Sequence, residues 1–144
     1  MDAETLALNK QIVRRVYERG FNEGDASVFD EYYAPTFRHH NKTIHDVSVG
    51  GAGEKESMRR FREAIPDVCF TIEDQIAEGD RVANRLTIRG TPVKNFPPIE
   101  PNGEAMEFRA VAIFRLVNGL IEEEWFYREP DDSKPGPAIS TNEN

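Results

Sequence analysis

The hydrophobic periodicity of the chain changes once, after Pro66-Asp67, and this change limits the folds open to it. Before that point, apolar residues recur at the spacing of one helical face, which predicts amphipathic helices over about residues 3–20 and 54–65. A shorter helix that carries several aromatic residues is predicted between them, capped by Asp25 and stopped by Ala34-Pro35. The first half of the chain is therefore expected to be helical.

After the change, apolar and polar residues alternate, as in half-buried strands. The turn Glu78-Gly79-Asp80 predicts one hairpin, and Asn118-Gly119 predicts a second hairpin between strands at about residues 105–117 and 120–127. Residues 37–41 are expected to be a short extended piece, and residues 90–104, with four prolines, a long irregular connection of the kind that often covers a site. Helices followed by mainly antiparallel strands define an α+β class.

A strongly twisted sheet of this kind wraps around its helices and leaves a cone with one open mouth, through which a ligand could enter. With 144 residues the chain is long enough for one core, so residues 1–129 are predicted to form a single domain, followed by a polar tail at 130–144. The single Cys69 cannot build a disulfide framework and suits a reducing compartment.

The charge balance and the apolar runs exclude several classes of partner. Asp and Glu number 26 against 18 Lys and Arg, a net charge of −8 that repels a phosphate backbone and argues against nucleic acid binding. No apolar run approaches a membrane span and the N-terminus lacks the pattern of a signal peptide, so a cytoplasmic location is expected. The glycine-rich residues 46–53 lack the Lys-Ser/Thr of a phosphate-binding loop.

Nine Phe, four Tyr and one Trp allow two interpretations: an aromatic core, or a pocket for a flat apolar ligand. A series of motifs bears on this choice. The most specific is IEDQIAEGDRVA at residues 72–83, and the supporting motifs are FNEGD at 21–25, YAPTF at 33–37, IPD at 65–67, FPPI at 96–99, IFR at 113–115 and GLIEEEW at 119–125.

The order and spacing of these motifs, over about residues 8–129, resemble the SnoaL-like polyketide cyclase family within the nuclear transport factor 2-like superfamily. The resemblance implies a cone-shaped α+β barrel, a homodimer, and an apolar cavity for acid/base chemistry on a polycyclic small molecule, with no metal and no organic cofactor. The expected function is cyclisation or isomerisation of a polyketide-like secondary metabolite. A cofactor-independent hydroxylase and a non-catalytic binding or assembly protein are the alternatives.

The resemblance also implies an acid/base carboxylate four residues after Trp125, where this chain has Glu129 in place of the usual aspartate. Alternation independently puts Ile121, Glu123, Trp125, Tyr127 and Glu129 on one strand face. A carboxyl group in an apolar cavity has a raised pKa and can then act as a general acid or base near neutral pH. Beyond Pro130, Asp131 and Asp132 are alternative candidates.

His40 matches the family's histidine, and alternation places His39 on the opposite side, so one of the two is expected to face the cavity. Arg85 could hold an enolate or a substrate carboxylate, or it could be an ion-paired surface residue. Pro92 follows Gly90-Thr91, where some members carry a second histidine. No metal site is predicted, because His39, His40 and His45 lie in a loop-prone segment with no matching Cys or acidic cluster.

The predicted catalytic residues are thus Glu129, His40 and Arg85. Substrate contacts are expected from a set of aromatic and histidine side chains that would divide between core and cavity wall: Tyr17, His39, Phe61, Phe96, Phe108, Trp125 and Tyr127.

Overall fold

The structure, a computed structural model, describes residues 2–40, 50–97 and 99–129. The helical part comes first: α1 (Ala3–Arg15), a π-helical turn (Val16–Phe21), α2 (Ser27–Glu31) and α3 (Gly51–Ala64). The strands are β1 (Tyr33–His39), β2 (Cys69–Glu78), β3 (Arg81–Gly90), β4 (Met106–Val117) and β5 (Leu120–Arg128). The predicted α+β class is confirmed. The predicted tail, residues 46–49 of the glycine-rich segment, and His45, Asp131 and Asp132 lie outside the described residues.

One five-stranded sheet has the strand order β1-β5-β4-β3-β2. β1 runs parallel to β5, and all other neighbours are antiparallel. Both predicted hairpins are present. Asn118 and Gly119 have φ values of 51° and 80°, the left-handed pair that a two-residue hairpin turn requires.

Two helical predictions need correction. The first helix is α-helical only to Arg15 and then π-helical to Phe21, where the N–H of Asn22 donates to the carbonyl oxygen of Tyr17, five residues earlier. The short helix α2 ends at Glu31, before the predicted stop at Pro35, because the next residues join the sheet. The N–H of Ile121 donates to the Tyr32 carbonyl oxygen at 2.7 Å, and Tyr33 already pairs with β5.

The helices pack on one face of the sheet, called the inner face here, which carries Val82, Leu86 and Phe114. The opposite, outer face carries exposed Arg85, Val111 and other solvent-accessible side chains. The largest fully buried side chains of the core are Phe29, Phe37, Phe114, Ile65, Leu86, Ile88, Leu116 and Ile121. In the part of the chain described, no helix is long and apolar enough to cross a membrane.

A β-bulge in β5 decides which of its residues face inward. Arg115 of β4 pairs with Glu123, whereas Leu116 pairs with Ile121, so Glu122 is an extra residue in β5. The bulge shifts the alternation by one, and Ile121 and Glu124 both lie on the inner face, where they are 0% and 5% exposed. The prediction that Ile121 shares a face with Glu123 is therefore wrong.

Candidate functional site

A cavity of about 50 Å³ lies between the helices and the inner face of the sheet. Most of its wall is aromatic, and the rest is polar; the lining residues are Tyr17, Phe21, Phe61, Phe70, Phe114, Phe126, His39, Glu54, Ser57 and Glu124. A wider surface groove of about 970 Å³ between α1 and β2 is open to solvent, and none of its lining residues is buried. The small cavity is the better candidate, since ionisable groups buried among apolar walls are typical of functional sites.

Three ionisable side chains, called the inner cluster here, meet in this cavity: His39, Glu54 and Glu124. His39 Nε2 lies 3.6 Å from Glu124 Oε2, and one donor atom from each of the three residues lies within 4.8 Å of the others. The His39 and Glu124 side chains are only 10% and 6% exposed, and Glu54 is 3% exposed. Burial of this much potential charge is costly unless the groups compensate one another.

Each member of the inner cluster comes from a different element. His39 ends β1 and sits directly opposite Glu124 in the parallel pairing with β5. Glu54 lies in the first turn of α3, where an acidic side chain is stabilised by the helix dipole. The start of α3 is tied to β1 by a hydrogen bond from the Gly50 N–H to the Phe37 carbonyl oxygen at 3.0 Å.

Two buried tyrosines lie near the inner cluster: Tyr17 lines the cavity, and Tyr33 is near enough to Glu54 and Glu124 for their charges to act on its hydroxyl. Tyr17 is 2% and Tyr33 5% exposed, and neither hydroxyl has a hydrogen-bond partner among the residues that the structure describes. Burial raises the pKa of both phenols well above the usual value, and the nearby carboxylates of Glu54 and Glu124 raise it further. Both groups are therefore neutral hydrogen-bond donors at any ordinary pH.

A second group of polar side chains lies on the outer face of the sheet. His40 Nε2 is 2.6 Å from Glu123 Oε2, and the imidazole stacks on Trp125 with ring centroids 4.7 Å apart. Arg115 also pairs with Glu123, and hydrogen bonds from Arg115 and then His40 lower the pKa of that carboxyl. The His40 side chain is 30% exposed, so this group is a partly solvated ion-pair network.

The three predicted catalytic residues lie outside the cavity. Glu129 is half-exposed, 3.7 Å from Arg109, and Arg85 pairs with Asp74 at 2.7 Å on the outer face. His40 belongs to the outer-face network. Of the two histidines, His39 is the one that faces inward. The catalytic roles of Glu129, His40 and Arg85 stay predictions that their positions do not favour.

The predicted substrate contacts divide between the cavity and other places. Tyr17, His39 and Phe61 line the cavity. Phe96, from the proline-rich connection, packs against Phe61 with ring centroids 4.5 Å apart. It therefore supports a lining residue and does not itself line the cavity. The remaining three lie elsewhere: Phe108 beneath the guanidinium of Arg128, and Trp125 and Tyr127 on the outer face.

Sequence reasoning missed Glu54, Glu124 and Tyr33. A signal for Glu54 was present, because Glu54, Met58 and Phe61 follow the i, i+4, i+7 spacing of one helical face, which puts a carboxylate on the apolar side of α3. Glu124 could not be distinguished from its neighbours Glu122 and Glu123 without the bulge. The sequence pattern places Tyr33 in a helix, whereas it lies in the strand that points its hydroxyl inward.

The inner cluster also bears on metal binding. One imidazole nitrogen and two carboxylates form a donor set that suits divalent metals such as Zn²⁺ or Fe²⁺. The expectation of no metal site depends on the lack of an acidic cluster beside the histidines. That premise is wrong for His39, since α3 and β5 supply two carboxylates from distant parts of the sequence.

Helices packed on a curved, mostly antiparallel sheet define the nuclear transport factor 2-like class of α+β cones, and solved structures share this fold. TsrD from Streptomyces laurentii is 25% identical, with 90% of this chain and 91% of that chain covered and a TM-score of 0.75. AclR from Streptomyces galilaeus, a proposed hydroxylase, is 26% identical over 86% and 90% of the two chains, with a TM-score of 0.71.

IdmH from Streptomyces antibioticus, a proposed polyketide cyclase, is 26% identical over 84% of this chain and 91% of its own, with a TM-score of 0.69. Residues 11–130 match the family model described as SnoaL-like polyketide cyclase. The chain belongs to this family. A comparison with curated proteins gave no significant match.

Proposed function

We propose that the protein is an acid/base cyclase or isomerase that acts on a polyketide-like secondary metabolite and transfers the proton through the inner cluster. Membership of the SnoaL-like polyketide cyclase family supports the substrate class. The observation that carries the reaction type is the buried His39–Glu124 pair in a cavity whose other walls are mainly aromatic. Such a pair is typical of general acid/base catalysis.

The pair fits removal of a proton from a carbon next to a carbonyl group. When His39 Nε2 takes up the proton, the imidazolium forms 3.6 Å from the Glu124 carboxylate, which compensates the new charge in a site with little water. Proton transfer by a well-placed side chain contributes roughly 10²- to 10⁴-fold in rate. The same imidazolium can return the proton to the product.

The size of the cavity limits what enters it. A volume of about 50 Å³ accommodates one carbonyl group with its neighbouring carbon, whereas sites for whole drug-sized ligands measure roughly 300–1,000 Å³. We therefore propose that only the reacting end of the substrate enters the cavity and that the fused rings lie outside it.

The direct test is exchange of α-protons for deuterium, followed by ¹H NMR in D₂O with a panel of polycyclic β-keto esters and ketones. Wild-type protein is expected to accelerate exchange with at least one of them, at the same rate after dialysis against EDTA. Binding of a panel compound with no exchange would contradict the proposal and favour a non-catalytic binding protein. If EDTA abolished exchange and Zn²⁺ restored it, the mechanism would be metal-assisted and would not be proton transfer by His39.

A cofactor-independent hydroxylase is the second candidate function, because AclR, a proposed hydroxylase, is 26% identical over most of both chains. This reaction and the cyclase reaction can both begin with the same proton removal, but only the hydroxylase then consumes dioxygen. Oxygen uptake measured with an electrode during turnover separates the two: the proposed cyclase or isomerase gives none.

We further propose that the protein is a homodimer, formed through the outer face of the sheet. Ile76, Ala83, Ile113 and Trp125 pair in register across four strands and form an apolar row on that face. Ile76 of this row is 68% exposed, and Tyr127, in the next row of the same face, is 57% exposed. Acidic and basic side chains both flank the rows, so a second copy related by a two-fold axis would meet opposite charges.

Sedimentation velocity tests the dimer. Wild-type protein is expected to sediment as a dimer at micromolar concentration. The variant Ile76→Glu/Tyr127→Glu is expected to sediment as a folded monomer, because the interface would bury two introduced carboxylates from each copy. Val93→Glu, at an exposed apolar residue outside the sheet, is the matched control and should stay dimeric. A monomeric wild type would overturn this proposal.

A further inference from the structure

The side chains of Tyr17 and Tyr33 each end in a buried hydroxyl group. Among the described residues, neither the Tyr17 nor the Tyr33 hydroxyl finds a hydrogen-bond partner, although both side chains are almost completely buried. A buried hydroxyl without a partner lowers stability, and phenylalanine would fill either position without this penalty. Tyr17 lines the cavity and Tyr33 lies near the same two carboxylates, so the two groups point to a ligand that completes their hydrogen bonds.

Aromatic packing fixes the position of both hydroxyls. The Tyr17 ring contacts Phe70 and Phe114, with centroid distances of 5.4 and 5.9 Å. The Tyr33 ring contacts Phe29 and Phe37, with centroid distances of 5.6 and 4.7 Å. Because apolar contacts and not hydrogen bonds hold the rings, both donors are already in place before a ligand arrives, which is the arrangement that stabilises a developing negative charge best.

The surroundings keep both groups as donors. Tyr17 lines the cavity together with His39, Glu54 and Glu124, and Tyr33 lies close enough to the same carboxylates for its ionisation to be opposed by them. Neither phenol therefore competes with His39 as a base. Tyr17 also lies in the π-helical turn, a feature frequent at functional sites.

We propose that Tyr17 and Tyr33 together bind the carbonyl oxygen of the substrate and stabilise the enolate that forms there. This inference rests on the proposed function and narrows its substrate class to ketones or esters with an acidic C–H next to the carbonyl. It gives the cavity three parts: two donors for the oxygen, the His39–Glu124 pair for the proton, and aromatic walls that exclude water.

The electron and proton balance closes within the substrate and the protein. The C–H bond next to the carbonyl breaks, its proton goes to His39 Nε2, and its electron pair forms the C=C bond of the enolate. The carbonyl π electrons move to the oxygen, which accepts hydrogen bonds from the two phenols. In cyclisation, the enolate carbon attacks a second carbonyl of the substrate, and the oxygen of that carbonyl takes the imidazolium proton. In isomerisation, the imidazolium gives the same proton to another carbon of the conjugated enolate. In both cases the enolate C–O bond becomes a carbonyl group again.

The test is the α-proton exchange assay with Tyr17→Phe, Tyr33→Phe and the double variant. Each single variant is expected to lower the exchange rate at saturating substrate by about 10²-fold, the usual effect of losing one oxyanion donor, with little change in KM. Thermal unfolding is expected at the same or a higher Tm, because an unpaired buried hydroxyl has been removed. Tyr32→Phe, whose hydroxyl accepts from Arg15 at 2.9 Å, is the control and should exchange at the wild-type rate.

Each other outcome overturns the inference in a recognisable way. If the tyrosine variants exchanged at the wild-type rate and His39→Asn lost exchange, the two tyrosines would have no role in the reaction. The proposed function would then still hold. Slower exchange accompanied by a lower Tm would assign the hydroxyls a structural role. A wild type that exchanges no panel compound would overturn both this inference and the proposed function.

Discussion

Replacing Glu124 by glutamine is expected to lower the rate of substrate α-proton exchange by roughly 10²- to 10⁴-fold, with the fold retained. The amide has nearly the shape of the carboxylate, so the packing against Phe114 and Phe126 stays possible, but it cannot compensate the positive charge that forms on His39 at 3.6 Å. The loss should appear in kcat more than in KM, because the missing interaction strengthens only as the proton moves. Exchange kinetics at saturating substrate measure it.

Glu123→Gln is the matched control, one residue away in the same strand. Its side chain lies on the outer face, where it pairs with Arg115 and His40, so its replacement should leave the exchange rate within about twofold of wild type. An exchange rate in Glu124→Gln equal to wild type would remove the inner cluster from the mechanism.

Gly51→Ala is expected to destabilise the protein by about 3 kcal/mol, a large effect for a single methyl group. A Cβ at Gly51 would lie 2.0 Å from the Phe29 carbonyl oxygen and 3.0 Å from the Phe29 carbonyl carbon. Both obstacles are backbone, which cannot rotate away as a side chain can, so α2 and α3 must separate. Urea unfolding monitored by Trp125 fluorescence gives the change in free energy, and the shift in α3 should also displace Glu54 and slow exchange.

Gly119→Ala is the control for that prediction. Gly119 has φ +80°, and no atom lies within 4 Å of the place that an alanine methyl group would occupy. Only the left-handed backbone conformation is therefore penalised, by about 1 kcal/mol. Greater destabilisation by Gly119→Ala than by Gly51→Ala would show that the close approach of α2 and α3 is wrong.

The fold could be predicted from the sequence because it depends on local patterns. Helical and alternating periodicities are properties of single segments, and the turn at Asn118-Gly119 is specified by two residues that tolerate positive φ. The errors occurred where a distant segment decided the conformation. Tyr33 lies in a strand instead of a helix because β5, almost ninety residues later, offers a parallel partner.

The site was harder to predict, because one extra residue in β5 changed which side chains of that strand face the cavity. Strict alternation along β5 pointed to Glu123 and Glu129, and the bulge at Glu122 brought Glu124 inward in their place. The bulge depends on how β4 and β5 pair, and no residue of Glu122-Glu123-Glu124 signals it. His39 and Glu54 meet Glu124 only because β1 and α3 pack beside β5, which is a tertiary relationship.

The most direct test of acid/base chemistry at the inner cluster compares Glu124→Gln with Glu129→Gln in the same deuterium-exchange assay. The two glutamates lie in and just after one strand, but one is buried beside His39 and the other is half-exposed beside Arg109. We expect loss of exchange in Glu124→Gln and a wild-type rate in Glu129→Gln. Loss in Glu129→Gln with full activity in Glu124→Gln would contradict the proposed role of the inner cluster and return the acid/base role to the end of the last strand.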